Sequence, residues 1–227
     1  MNNITLLQSL ALGCPTSELP ATIAKLCGLS SIEYGDGLVG NMELEHVPSE
    51  FAGLIESYRA MGKQRVYLEV GCRGGYGAVI AGLAIPSCER AILIQTDTDW
   101  KFTQKSYKAI AEGRAASTDL NRQISLEQYI GSLASYLKDQ KAKFDVVLLG
   151  EDLNYQEIKA QIDMVLCFMP TDTGVLIVRG INNQANPGIM NAWNEVKAAV
   201  SGRTILEFCD AQYPKSGIGL VLLGEKM

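Results

Sequence analysis

RVYLEVGCRGGYGAVIAGLAIP, residues 65–86, decides how this chain is read. Residues 66–70 form a short apolar run containing one acid, Glu69, which suits a buried strand. Gly71, Gly74, Gly75 and Gly77 follow at once and predict a tight turn, and residues 78–85 have the pattern of a helix stopped by Pro86. Glycines between a strand and a helix let backbone approach a ligand closely and aim the helix N-terminus at it. The spacing is not that of a dinucleotide fingerprint, because Arg73 stands where G-x-G-x-x-G needs its second glycine.

Outward from this turn, composition bounds the possibilities. The 227 residues suffice for one large α/β unit, and no composition shift marks a second. A net charge of −5 disfavours nucleic acid as a partner, since such binding rests on clustered Lys and Arg neutralising phosphates. Its nearest approach to a basic run, residues 138–143, is interrupted by Asp139 and reads as the solvated end of a helix. Cysteines 14, 27, 72, 88, 167 and 209 form no C-x-x-C pair and read as reduced core thiols of a cytoplasmic protein. No apolar run reaches the ~18 residues of a membrane span, and the segment before Pro15 lacks the basic start of a secretion signal. With His46 the single histidine, His-rich zinc sites are excluded within one chain, and no G-x-S-x-G turn presents a hydrolase nucleophile.

Beyond the turn, strand-like and helix-like segments alternate, which predicts a parallel sheet covered on both faces. Further strands are expected at residues 91–96, 122–125, 144–150, 174–179, 204–209 and 218–223. Helices are expected at 100–112, 126–139, 155–168 and 187–200, with Asn186 and Pro187 as cap and first turn of the last. Only residues 210–217 separate the final two strands, too few for a parallel crossover, so neighbours there must run antiparallel. Ahead of the first strand, residues 3–12, 19–27 and 48–61 have helical patterns and predict a cap layer, residues 1–62, on a main unit of residues 63–227.

The string E-x-G-x-x-G-G-Y-G, from Glu69, resembles motif I of class I S-adenosylmethionine-dependent methyltransferases, in particular the catechol O-methyltransferase group. FDVVLLGEDLNYQEIKAQI, residues 144–162, is similar to F-D-x-x-x-I-D-G-D-H-x-Y-x-x-V-x-x-D of the methyltransferase 24-like branch, with Phe144, Asp145, Asp152, Tyr155 and Lys159 in register. LEHVPSEF, residues 44–51, looks like the L-x-Q-x-P-x-E segment ahead of motif I. The likeness spans residues 44–224 and implies a Rossmann-like, doubly wound, seven-stranded sheet, mostly parallel with a reversed last strand, plus an N-terminal helical cap. It also implies S-adenosylmethionine as cofactor and a homodimer.

Carried over position by position, the resemblance gives Gly71 and Gly75 backbone approach to the methionine part, with Glu69 organising the turn. Asp97 would accept the ribose hydroxyls, with Asp99 and Gln95 as alternatives. The same acids equally suit capping of the following helix. Ser125 and Leu126 would hold adenine. The chain departs from the pattern where metal-dependent relatives carry acids and a histidine: Gly150, Leu153, Arg179 and Gly180 stand there. Magnesium and calcium need several hard oxygen ligands, so no metal is expected. His46, Glu151 and Asp152 remain as titratable groups for a general base, and Arg179 as a cation for an anionic substrate. Two functions follow: a metal-independent methyltransferase acting on a small-molecule or sugar hydroxyl, or a protein that keeps the fold without methylating.

Overall fold

The computed structural model describes residues 66–71, 89–95, 125–150, 153–209 and 217–224. Seven strands form one sheet: β1 (Val66–Val70), β2 (Arg90–Gln95), β3 (Ser125–Ile130), β4 (Val146–Leu149), β5 (Val175–Arg179), β6 (Thr204–Phe208) and β7 (Ile218–Leu222). Their order is β3-β2-β1-β4-β5-β7-β6. The five strands from β3 to β5 are parallel, and β7 runs against both β5 and β6. The two strands joined by the short connection, residues 209–217, therefore run antiparallel as its length requires, and the reversed last strand lies inside the sheet rather than at its rim.

Apolar runs such as VYLEV, VVLL and VLIVR suit strands buried on both sides, because parallel strands carry helices on their faces. Leu68, Val70, Ile92, Ile94, Val147, Leu149, Leu176 and Val178 share a core with three helices, α1 (Leu133–Leu137), α2 (Tyr155–Cys167) and α3 (Pro187–Ala199). The alternate residues Tyr67, Ala91, Leu93, Val146, Leu148, Val175 and Ile177 are buried too. Trp193 of α3 lies so close over β7 that a Cβ on Gly219 would come within 2.3 Å of its ring. Helix α2 begins with a reciprocal capping box between Asn154 and Glu157, which satisfies two otherwise orphaned backbone donors. No described helix is long and apolar enough to cross a membrane.

Four expectations are corrected. Residues 126–139 are not one helix, and the third strand does not end at residue 125. The apolar residues 126, 129, 130, 133, 136 and 137 do recur at helical spacing, but Ser125–Ile130 pairs with all six residues of β2 and becomes β3. Gly131, at φ +149, then breaks the chain, and Ser132 caps the short α1 by accepting a hydrogen bond from the Ser135 amide. Asn186 stands at the N-cap of α3 but makes no side-chain cap; its side-chain Nδ2 donates instead to the Leu153 carbonyl, 2.8 Å away. Cys167 and Cys209 are free but exposed, so they are not core thiols. The expected cap layer, residues 1–62, and the helices at 78–85 and 100–112 lie outside the described residues.

Candidate functional site at the carboxyl ends of the parallel strands

In an open parallel sheet, ligands bind at the carboxyl ends of the strands where the strand order reverses. Here that point is between β1 and β4: the chain leaves β1 to build β2 and β3 on one side, then returns to place β4 on the other. Glycine follows the last residue of four of the five parallel strands: Gly71 after β1, Gly131 after β3, Gly150 after β4 and Gly180 after β5. These strand ends carry no side chains beyond the sheet. Gly71 has φ +78, a conformation other residues adopt only with strain, and its amide donates to the Ile94 carbonyl at 2.9 Å. Gly71 therefore leaves β1 while still tied to β2.

Below Gly71 on the same side of the sheet lies Glu69, only 1 % exposed. Its neighbours in register are Leu93 and Leu148. A carboxylate among aliphatic chains is costly unless hydrogen-bonded. Tyr67, two residues earlier and fully buried, donates its hydroxyl to Glu69 Oε2 at 3.0 Å. Since i and i+2 share a strand face, the sequence places donor beneath acceptor. Tyr67 was missed by sequence reasoning, although this spacing was its available signal.

Across the crevice, Leu149 pairs with Val178, so Gly150 and Arg179 stand side by side at the next position. A Cβ on Gly150 would come within 2.6 Å of Arg179 Cβ, 3.1 Å of its Cγ and 3.0 Å of its Cδ. The aliphatic stem of Arg179 thus occupies the space a side chain at 150 would need. Gly150, Leu153, Arg179 and Gly180 supply no side-chain oxygen here, so they do not fit a hard divalent cation. Among the described residues, no cluster of three His, Cys, Asp or Glu side chains forms a metal site elsewhere. The segments entering α2 and α3 are stitched together by the Asn186–Leu153 bond and by Gly188, where a Cβ would fall 2.6 Å from the Tyr155 amide nitrogen.

The structure does not bring all expected site residues together. Glu69 and Gly71 of β1 and Arg179 of β5 all stand toward the carboxyl ends, with β4 between the two strands. Ser125 and Leu126 open β3 beside Arg90 and Ala91, in the rows of Val66 and Tyr67, at the opposite end of the strands. The adenine role expected for them does not fit that position. Ile130, the last residue of β3 and 46 % exposed, and Gly131 and Ser132 after it stand at the carboxyl end instead, and the glycine after the apolar Ile130 was the signal for them. His46, Gly75, Asp97, Glu151 and Asp152 lie outside the described residues.

No protein-family model matches the chain, and no curated protein sequence does. Solved structures do. An O-methyltransferase of tomaymycin synthesis from Streptomyces achromogenes, in complex with S-adenosylmethionine, superposes with a TM-score of 0.56 at 19 % identity, over 91 % of this chain and 88 % of that one. An O-methyltransferase from Bacillus cereus, in complex with S-adenosylhomocysteine, gives 0.56 at 16 % identity over 96 % and 97 %. A putative O-methyltransferase from Klebsiella pneumoniae gives 0.54 at 15 % identity over 96 % and 94 %. The sheet of the described residues therefore has the Rossmann-like fold of these methyltransferases, mostly parallel with a reversed last strand.

Proposed function

We propose that the protein is an S-adenosylmethionine-dependent methyltransferase that transfers the methyl group to a small-molecule or sugar hydroxyl without a metal ion. The observation that carries this reading is the end of β1: Gly71, at φ +78, leaves the strand at the switch point, and the Glu69 carboxylate beneath it accepts a hydrogen bond from Tyr67. The two O-methyltransferase structures with cofactor or its product bound, matched over nearly their whole length, support the same ligand. Gly71 and Gly75 approach the methionine part, and Asp97 takes the ribose hydroxyls.

The sulfonium methyl is already activated, so the protein's task is to hold the acceptor oxygen in line with it and to receive the hydroxyl proton. His46, Glu151 and Asp152 are the proposed bases. Because Gly150 and Gly180 offer no carboxylate where metal-dependent relatives carry theirs, methyl transfer is expected to persist in a strong chelator. The missing acids also favour the second reading, a fold-retaining protein that binds cofactor without turnover.

Transfer of labelled methyl from S-adenosylmethionine to a panel of phenolic, carboxylated and sugar hydroxyl acceptors, with and without chelator, tests the proposal. Turnover unaffected by chelator supports it. Turnover abolished by chelator contradicts metal independence, and cofactor binding without any turnover favours the second reading. If His46 is the base, activity falls as pH drops through about 6.5, where an unperturbed imidazole protonates. An unchanged profile in His46→Ala would remove that assignment.

A further inference from the structure

One rim of the sheet is β6, and among the described residues no strand pairs with its outer side. A rim strand offers a row of backbone donors and acceptors to any other strand, and chains usually guard it with lysine, proline or a bulge. TILEF, the sequence of β6, has neither residue, and its pairing with β7 runs through all five positions without a bulge. Leu206 is 39 % exposed, one of two large apolar side chains left exposed among the described residues.

Charge gives this rim a direction. Arg203 stands just before β6 and Glu207 near its end. Their even spacing puts Arg203, Ile205 and Glu207 toward one face, where Ile205 packs against the core and Glu207 meets α3. Trp193 Nε1 and Lys197 Nζ, the latter at 2.8 Å, both donate to Glu207 Oε1, which leaves Oε2 without a partner among the described residues. The Glu207 side chain is 40 % exposed. The Arg203 guanidinium makes no hydrogen bond or ion pair among the described residues. Four strand positions separate the two charges by roughly 13 Å, too far for them to pair within one chain.

We propose that β6 is a self-association edge, along which a second copy of this chain lays its own β6 antiparallel about a two-fold axis. Such an axis stands perpendicular to the sheet, so each residue meets one of the same face. With the axis at Ile205, Arg203 lies opposite Glu207 of the partner subunit, and the symmetry forms that ion pair twice. Thr204 then lies opposite Leu206 of the partner subunit, which covers part of the exposed leucine. An axis at Leu206 would instead set Glu207 against the apolar Ile205 of the partner subunit and leave both charges unmatched. The strand thus carries its own complement in one register, which an unrelated strand would have to supply from outside. The two-fold reverses strand direction, so the carboxyl ends of the two parallel sheets point opposite ways and stay open.

Sedimentation velocity of the full chain over a wide concentration range, with hydrogen exchange measured at both extremes, tests this. Reductant is kept present so that the exposed Cys167 and Cys209 do not cross-link copies. One short paired edge is smaller than a standard interface, so a monomer–dimer equilibrium with a dissociation constant of order ten micromolar is expected. High salt weakens it, and the amides of residues 203–208 gain protection as the dimer forms. Arg203→Glu sets like charges opposite each other twice and is expected to weaken association about ten-fold or more. Arg203→Lys keeps most of it. Neither variant removes a side-chain bond from the monomer, so an unchanged melting temperature at low concentration verifies that both are folded. A native protein that stays monomeric up to about 200 micromolar would overturn the proposal. So would a dimer that Arg203→Glu leaves intact, or one whose exchange protection falls outside residues 203–208.

Discussion

At the amino ends of the parallel strands, side chains close the sheet. Asp145 accepts from the Val66 amide at 2.9 Å while its own amide donates to the Val66 carbonyl at 3.0 Å, which fixes β4 against β1. Arg90 at the start of β2 pairs with Glu127 of β3, and the Tyr136 hydroxyl donates to the other oxygen of Glu127 at 2.7 Å. At the carboxyl ends of the same strands, four of five continue into glycine. One end uses its side chains to hold strands together; the other gives them up, and on the proposed reading it is the end that binds. Stability and binding would thereby be separated along each strand, over a distance of about five residues or roughly 16 Å.

Substitutions at the two ends are therefore expected to have different readouts. The largest effect belongs to Gly71→Val, which forces a β-branched residue to φ +78 and fills the approach to the turn. S-adenosylhomocysteine affinity should fall about 100-fold or more, a loss near 2.7 kcal/mol by titration. Gly75→Val is expected to act alike. Normal affinity in Gly71→Val would erase the contrast between the two ends. At the other end, Asp145→Ala leaves the Val66 amide without its carboxylate and should cost about 1–3 kcal/mol in urea unfolding. Cofactor affinity in this variant should stay within about two-fold, a change under half a kcal/mol. A matching loss of affinity would show that the ends are coupled.

A smaller effect is expected from Tyr67→Phe, which keeps the packing but removes the donor to Glu69. Its loss should be about 1.5 kcal/mol in stability, the low end for a bond to a charged group. S-adenosylhomocysteine affinity should weaken about three-fold, or roughly 0.7 kcal/mol. Unchanged affinity would mean that Tyr67 serves the core alone.

The smallest effect concerns acid. Burial pushes the Glu127 carboxyl up, but hydrogen bonds from Arg90 and Tyr136 outweigh it and hold the group below its ordinary 4.5. A carboxylate whose pKa is lowered by folding contributes stability that is present above the unfolded value and lost as pH falls through the folded one. Melting temperature should therefore drop on acidification below about 4.5, and less steeply in Glu127→Gln. Identical slopes would leave the amino-end cluster without electrostatic weight.

The two ends were also unequally legible. The glycine turn after β1 is local, so it announces itself in consecutive residues, and the apolar runs of β1, β4, β5 and β7 mark buried strands by composition alone. The short link between β6 and β7 even disclosed their relative direction. The amino-end network is not legible, because Val66 and Asp145 are 79 residues apart and meet only once strand order is known. Residues 126–137 misled for a different reason: Leu126, Tyr129, Ile130 and Leu133 satisfy helical spacing, and only the free edge of β2 decides for a strand. Shifting that strand moved its carboxyl end from Ser125 to Ile130. Arg179 was visible as a departure from the pattern, but its dependence on Gly150 appears only when β4 and β5 lie side by side.

The central claim is that the glycine-lined carboxyl end of the sheet is a cofactor site. Calorimetric titration of the full chain with S-adenosylhomocysteine tests it most directly. The account predicts one site per chain with a dissociation constant of order micromolar, about −8 kcal/mol. No heat of binding at cofactor concentrations up to about one millimolar, beyond −4 kcal/mol, would contradict it.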